Sequence, residues 1–275
     1  MEIQDDDRVR QQVRKAYGDV AKGAVEACGI GCCGTEHGGS FAMGYSAEDL
    51  ASVPEGADLG LGCGNPQAIA ALQPGESVID LGSGGGFDCF LAAKQVGPSG
   101  RVVGVDMTPE MVAKARANKA KVGAENVDFR LGEIERMPVE DASADVILSN
   151  CVINLSPDKA AVFREAFRAL KPGGRLAISD IVSTAAMPPA LAASVEALTG
   201  CVAGAAPISV LRELLTASGF VDVKIEPREG SRAIIGACMP GAEEYVVSAT
   251  IEARKPGGAP SCCAPSCCAP KGAST

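Results

Sequence analysis

The 275-residue chain is long enough to bury a full core in one large domain, or in one domain with a smaller appendage, and its 47% hydrophobic and 21% charged residues are ordinary for a soluble globular protein. A formal charge of −9 argues against nucleic acid or an anionic membrane as partner. The opening Met-Glu-Ile-Gln-Asp-Asp-Asp has no signal-peptide character, and no apolar run approaches the roughly 20 residues that cross a bilayer. A cytoplasmic location is therefore expected, where twelve cysteines serve metal binding or catalysis rather than a stable disulfide framework.

In chain order, residues 5–17 read as a helix with Asp5, Asp6 and Asp7 at the end that favours negative charge. Cys28-Gly-Ile-Gly-Cys32-Cys33-Gly then opens a glycine-rich stretch that reads as a loop able to swing, and it also holds His37, the single histidine. Ser46-Ala-Glu-Asp49 has capping-box form, and Asn65-Pro66 supplies a cap and a first residue for another short helix. Leu61-Gly-Cys63-Gly lies between them. From 76 to 180, strands near 77–81, 101–105, 126–131, 144–149 and 174–180 alternate with helices over 86–95, 109–121 and 157–170, which is the pattern of a doubly wound parallel sheet. Thr108-Pro109 and Ser156-Pro157 read as caps followed by proline in the first turn. Helices over 188–200 and 207–218 follow, with Gly219 placed to end the second, and then strands near 221–226, 232–238 and 245–252 to complete the sheet with an antiparallel edge. The expected organisation is an N-terminal helix and Cys/Gly-rich segment to 72, a core over 73–185, cap helices and edge strands over 186–255, and a disordered tail from 256 with a repeated Ser-Cys-Cys-Ala-Pro.

The stretch Val78-Ile-Asp-Leu-Gly-Ser-Gly-Gly-Gly86 is a buried strand that breaks into a glycine loop and opens a helix, where backbone N–H groups face a ligand. The second strand ends in Asp106, placed to accept both ribose hydroxyls of an adenosine. The dinucleotide spelling G-x-G-x-x-G is not met, because position 87 is Phe. Asp80-Leu-Gly-Ser-Gly84, Asp106 and Gly132-Glu-Ile-Glu135 together resemble the seven-stranded S-adenosylmethionine-dependent methyltransferases of Rossmann-like α/β fold. The resemblance places Gly82, Gly84 and Gly86 under the methionine part, Asp106 on the ribose and Glu133 on the adenine amine, with Asp80, Ser83, Met107, Ile134 and Asn150 in the same loops.

Cys151, in Ser149-Asn-Cys-Val-Ile-Asn-Leu155, follows the fourth strand at the sheet edge where ligands of open α/β sheets sit, and Cys201 lies in Thr199-Gly-Cys-Val-Ala-Gly204 over the same edge. Taken singly, each cysteine is as readily a small buried hydrophobe. Gly62-Cys63-Gly-Asn-Pro, the Asn-Cys segment and Gly-Cys201-Val-Ala-Gly together resemble the arsenite S-adenosylmethionine methyltransferases over roughly residues 10–255. The resemblance implies that Cys151 and Cys201 hold trivalent arsenic, with Cys63 and one of Cys32 and Cys33, here placed on Cys33, completing a thiol and disulfide relay. It also implies arsenite and methylated arsenicals as ligands, and a thiol reductant, glutathione or a thioredoxin-type protein, as co-substrate. Soft thiolates suit a thiophilic centre, and arsenic's own lone pair is the nucleophile, so no base is needed. His37 then reads as a solvated loop residue, Cys89 and Cys238 as core, and Cys28 stays undecided. The pairs Cys262-Cys263 and Cys267-Cys268 read as an arsenic catcher or as a dispensable metal-binding tag. Two rivals share parts of the pattern: a carbon methyltransferase of quinone biosynthesis, which has no use for thiols at one edge, and a non-catalytic metalloid-binding protein, which has no use for a nucleoside site.

Overall fold

The computed structural model describes residues 3–24 and 38–257; Cys28, Cys32, Cys33, His37 and the tail cysteines, and the roles expected of them, lie outside the described residues. The sheet has the order β3-β2-β1-β4-β5-β8-β7, formed by β1 (Ser77–Leu81), β2 (Arg101–Asp106), β3 (Val127–Leu131), β4 (Ala144–Asn150), β5 (Leu170–Ser183), β7 (Val221–Pro227) and β8 (Val246–Arg254). A two-residue β6 (Ala206–Pro207) pairs beside β5. The first five strands are mutually parallel, and β8 runs antiparallel to both β5 and β7. This is the doubly wound, mostly parallel seven-stranded architecture that the alternation implied.

The period-2 pattern sends alternate residues of each strand to opposite faces. Ile79, Leu81, Ile147 and Ile178 pack with Val162 and Phe163 of α7 (Lys159–Ala169) and with Leu211 and Leu215 of α10 (Ile208–Ala217). Val78, Val146, Leu148 and Ala177 pack with Phe90, Ala93 and Val96 of α5 (Phe87–Val96) and with Val112 and Ala115 of α6 (Pro109–Val122). Burial on both faces explains why these strands read as continuous apolar runs. Among the described residues, no helix is long and apolar enough to cross a membrane.

The antiparallel strand is second from the edge, not at the edge, because β8 inserts between β5 and β7. The strand expected over 232–238 is α11 (Ser231–Cys238), in which Ile234, Ile235 and Cys238 fall on one helical face. A short apolar run does not distinguish a strand from a half-buried helix. The expected helix over 188–200 is two pieces, α8 (Pro189–Ala192) and α9 (Val195–Thr199), because Ser194 Oγ accepts the Ala197 N–H and starts a new helix. The cap of α7 is Asp158 rather than Ser156: Asp158 Oδ1 accepts the Ala161 N–H at 2.8 Å, while Ser156 donates to Glu135. The capping box of α3 (Ala47–Ala51) forms as expected, and Asn65 Oδ1 accepts the Ala68 N–H at the start of α4 (Gln67–Ala70). The first helix, α1 (Ile3–Ala21), is longer than expected and lies across the C-terminal edge of the sheet, where Val13 and Tyr17 meet Cys151 and Cys201. A short α2 (Gly38–Met43) follows the undescribed segment.

Candidate active site

A cleft with about 1080 Å³ of empty space opens at the C-terminal edge, walled by the turns after β1, β2, β3 and β4 and covered by Arg10, Val13 and Tyr17 of α1. Its floor is the loop after β1. Gly82, Gly84 and Gly86 all have positive φ, and a Cβ at Gly84 would stand in open space, which leaves that face clear for a ligand. Gly86 does a different job: it opens α5 so close to Phe90 and Phe129 that a Cβ would lie 2.7 Å from the latter ring.

The Asp106 carboxylate accepts the Gly84 N–H at 2.9 Å and the Thr108 N–H at 2.8 Å, which aims it across the loop. Burial raises its pKa against the pull of these two bonds. With the Thr108 hydroxyl as a third donor, the carboxylate still keeps one of its four lone-pair sites for a ligand. Met107 and Ile134 contribute apolar surface to the same wall, and Ser83, Asp80 and Asn150 also line it. A glycine floor, one acid with a spare acceptor site and an apolar slot beside it fit the methionine, ribose and adenine parts of S-adenosylmethionine. Asp80 lies beneath the loop, where Cys89 Sγ approaches its carboxylate at 3.2 Å, and its pKa is raised by burial and by the charge of Asp88. Glu133 stands outside the cleft wall: it pairs with Arg14 at 3.2 Å and with Arg10 at 3.7 Å, both from α1.

A second cavity, with about 1400 Å³ of empty space, adjoins the first and holds the three described candidate thiols, Cys63, Cys151 and Cys201, with α9 and α11 as its outer wall. Cys151 lines both cavities. Its N–H donates to Ser179 O at 2.8 Å, and its φ of 57° places it in the left-handed region, which a side-chain-bearing residue occupies only when its surroundings hold it there. Cys201 has a φ of 62°, and its thiol reaches Cys151 O at 2.7 Å.

Asn154 clamps these two turns, donating from Nδ2 to Asp180 Oδ1 at 2.9 Å, to Ile181 O at 2.6 Å and to Cys201 O at 3.2 Å. Cys63 arrives on a loop pressed against Asn150: Asn150 Oδ1 accepts the Cys63 N–H at 3.1 Å, and Nδ2 donates to Gly64 O, Asp88 and Tyr45. Both flanking glycines are needed for that approach. A Cβ at Gly62 would meet Asn150 Nδ2 at 2.7 Å, and one at Gly64 would meet Ser179 Oγ at 2.8 Å. As a result the ligand atoms of Cys63, Cys151 and Asp180 all lie within 4.8 Å of one another.

The thiols of Cys151 and Cys201 are held neutral. The Cys201 pKa is pushed up by its hydrogen bond with Cys151 and by burial. At Cys151 the bond from Cys201 lowers the pKa, but the bond with Cys63 and burial outweigh it, and the net shift is well upward. Burial raises the Asp180 pKa to about 6, although the N–H groups of Ile153 and Ile181 and the amide of Asn154 donate to it. Among the described residues no disulfide is present.

Sequence reasoning did not single out Tyr17, Asn154, Asp180 or the α11 residues Ile234, Ile235 and Cys238 as parts of this chamber. Asp180 was within reach of the argument that found Cys151, since it lies at the end of the neighbouring strand. Tyr17 and α11 carry no local signal.

The fold and the cleft are those of a Rossmann-like S-adenosylmethionine-dependent methyltransferase, and residues 72–231 match the family model described as a methyltransferase domain. The chain is 53% identical to an arsenite methyltransferase of Halobacterium salinarum over 92% of this chain and 68% of that protein. It is 39% identical to that of Aquipseudomonas alcaligenes over 79% of this chain and 63% of that protein. It thus spans about two thirds of the length of these curated relatives. The crystal structure of an arsenic(III) S-adenosylmethionine methyltransferase from Chlamydomonas reinhardtii superposes with a TM-score of 0.60 at 32% identity, covering 82% of this chain and 75% of that one. This chain belongs to the arsenite methyltransferase family.

Proposed function

We propose that the protein methylates trivalent arsenic bound by Cys63, Cys151 and Cys201, using S-adenosylmethionine held over Gly82, Gly84 and Asp106. The observation that carries this reading is the position of Cys151, which lines the cofactor cleft on one side and the thiol chamber on the other. When bound, S-adenosylmethionine supplies an electrophilic methyl on a sulfonium. Each thiol displaces one hydroxyl of arsenous acid: an As–S bond forms, an As–O bond breaks, and the thiol proton leaves with the hydroxyl as water. Thiols with raised pKa values are therefore competent, and no separate base is required. The αL turns at Cys151 and Cys201 fix their sulfurs in advance, so that positioning rather than proton transfer lowers the barrier.

Methylation oxidises arsenic by two electrons. Two thiols of the relay, with Cys33 as the fourth member, return them by closing a disulfide, which glutathione or a thioredoxin-type reductant in the cytoplasm then reopens. A quinone-type carbon methyltransferase would leave the converging thiols without purpose, and a metalloid buffer would leave the cofactor cleft without one. Purified protein incubated with arsenite, S-adenosylmethionine and glutathione should yield methylated arsenicals by arsenic speciation. Their absence, with cofactor binding intact, would overturn the reading.

A further inference from the structure

Among the described residues, five line both cavities: Tyr17, Met43, Leu61, Gly62 and Cys151. Of these, Tyr17 has a side chain anchored in the chamber wall, because its hydroxyl donates to Thr199 O at 2.9 Å, two residues before Cys201. Burial chiefly raises the pKa of this hydroxyl, and Cys201, Cys151, Asp106 and Asp180, the groups around it, push it the same way. The ring thus stands between the acid assigned to the ribose and the thiols assigned to arsenic.

Tyr17 belongs to a 19-residue helix whose Val13 also packs toward the thiols, while its arginines, and Lys22 just past its end, pair on the cofactor side. Arg14 Nε donates to Met107 O at 3.2 Å, and Arg14 pairs with Glu133 at 3.2 Å. Arg10 pairs with Glu135 at 3.3 Å, and Lys22 with Glu110 at 2.8 Å. Those acids and that carbonyl lie on the turns after β2 and β3 or at the start of α6. The helix therefore ties the loops of the cofactor cleft to the turn that presents Cys201, and Tyr17 makes the connection at the chamber end.

We propose that Tyr17 is a positioning residue that couples the two sites: occupation of the cofactor cleft fixes α1, and through the Tyr17–Thr199 hydrogen bond it fixes the Cys201 turn for arsenic. The inference rests on the arsenic reading of the preceding section. A site already ordered by one ligand loses less freedom on binding the second, and the resulting gain is the same in both directions. The device favours arsenic captured with the methyl donor in place over arsenic held without it.

The test is a binding cycle on the full chain, with arsenite followed by thiolate-to-arsenic ultraviolet absorption, in the presence and absence of S-adenosylhomocysteine. In the wild type the product cofactor should tighten arsenite binding about tenfold. In Tyr17→Phe, which keeps the ring and loses the hydroxyl, the ratio should fall to about one, whereas S-adenosylhomocysteine affinity measured calorimetrically without arsenite should stay within about threefold. In turnover, Tyr17→Phe should raise the KM for arsenite with little change in kcat. A Tyr17→Phe ratio equal to the wild-type ratio overturns the proposal, and so does a wild-type ratio of one. Should Tyr17→Phe fail to fold, Arg14→Gln, which loosens the opposite anchor, decides it: a reduced ratio supports the coupling and an unchanged one overturns it. Wild-type protein that binds no arsenite through its thiols would instead sink the arsenic reading itself, so the two failures are distinct.

Discussion

The cofactor cleft takes most of its wall from the turns that follow four consecutive strands, β1 to β4, whereas the thiol chamber gathers Cys63 from before the sheet, Cys151 from its middle, Cys201 from between α9 and β6, and α11 from between β7 and β8. The first is a product of topology, since a parallel sheet puts the ends of successive strands at one edge. The second is a product of contacts across long stretches of chain, such as the bond from Cys63 N–H to Asn150 and that from Asn154 to Cys201 O. The cleft should therefore tolerate loss of the chamber, while the chamber should be sensitive to single atoms.

The sharpest way to separate the two regions is Cys151→Ser. It should reduce methylation by about three orders of magnitude while S-adenosylmethionine still binds in calorimetry, because the cleft keeps its glycine floor and Asp106. Asp106→Ala should do the reverse, weakening cofactor affinity about 10- to 100-fold by removing a charged acceptor, with arsenite binding to the cofactor-free protein little changed. Gly64→Ala tests the single-atom claim. Its new Cβ would sit 2.8 Å from Ser179 Oγ, and displacing the Cys63 loop should cost about 1–3 kcal/mol, read as roughly a tenfold fall in turnover with unaltered cofactor affinity.

Two further changes should spare both sites, the first of them at the far edge of the sheet. Glu76 accepts hydrogen bonds from Arg175 Nη1 at 2.7 Å and Nη2 at 2.8 Å, and from the Gln73 N–H at 2.7 Å. Burial alone would raise its pKa, but these bonds outweigh burial and hold it below the usual glutamate value. A lowered folded-state pKa contributes stability that is present above the unfolded pKa and lost as pH falls through the folded one. Glu76→Gln should accordingly cost about 1 kcal/mol in denaturant melts at pH 7, and the difference from wild type should shrink as pH falls past the unfolded glutamate pKa of about 4.3 and vanish only below the lower folded-state value. Deleting residues 259–275 should change turnover at saturating arsenite by less than about twofold. The last strand ends at Arg254, paired with Arg175, whereas Ser179, which accepts the Cys151 N–H, pairs with Thr250, so β8 runs four residues, about 13 Å at 3.3 Å per residue, past the level of Cys151 before it ends.

Much of the cofactor half was legible because its signals are local. The strand-to-glycine turn at 77–86, the acid at the end of β2 and the Asn-Cys segment after β4 each sit within one short window, and all reach the expected edge. Glu133 was read by the same logic, but its surroundings include Arg10 and Arg14 from a helix more than a hundred residues earlier, a partnership no window contains. The stretch over 232–238 reads as a strand in sequence because its apolar residues suit either period, and only packing against β8 and the chamber selects the helix.

The alternation of strand and helix, the glycine floor, the place of Asp106 and the presence of thiols at the sheet edge can be read from the amino acids alone, because these follow from backbone preferences and from apolar spacing within a dozen residues. Tertiary structure alone decided the insertion of β8 between β5 and β7, the left-handed turns at Cys151 and Cys201, and the helix that carries Tyr17 between the two cavities. Those features depend on groups that meet only after the chain has closed on itself, where hydrogen bonds and steric fit between distant segments outweigh what any residue prefers on its own.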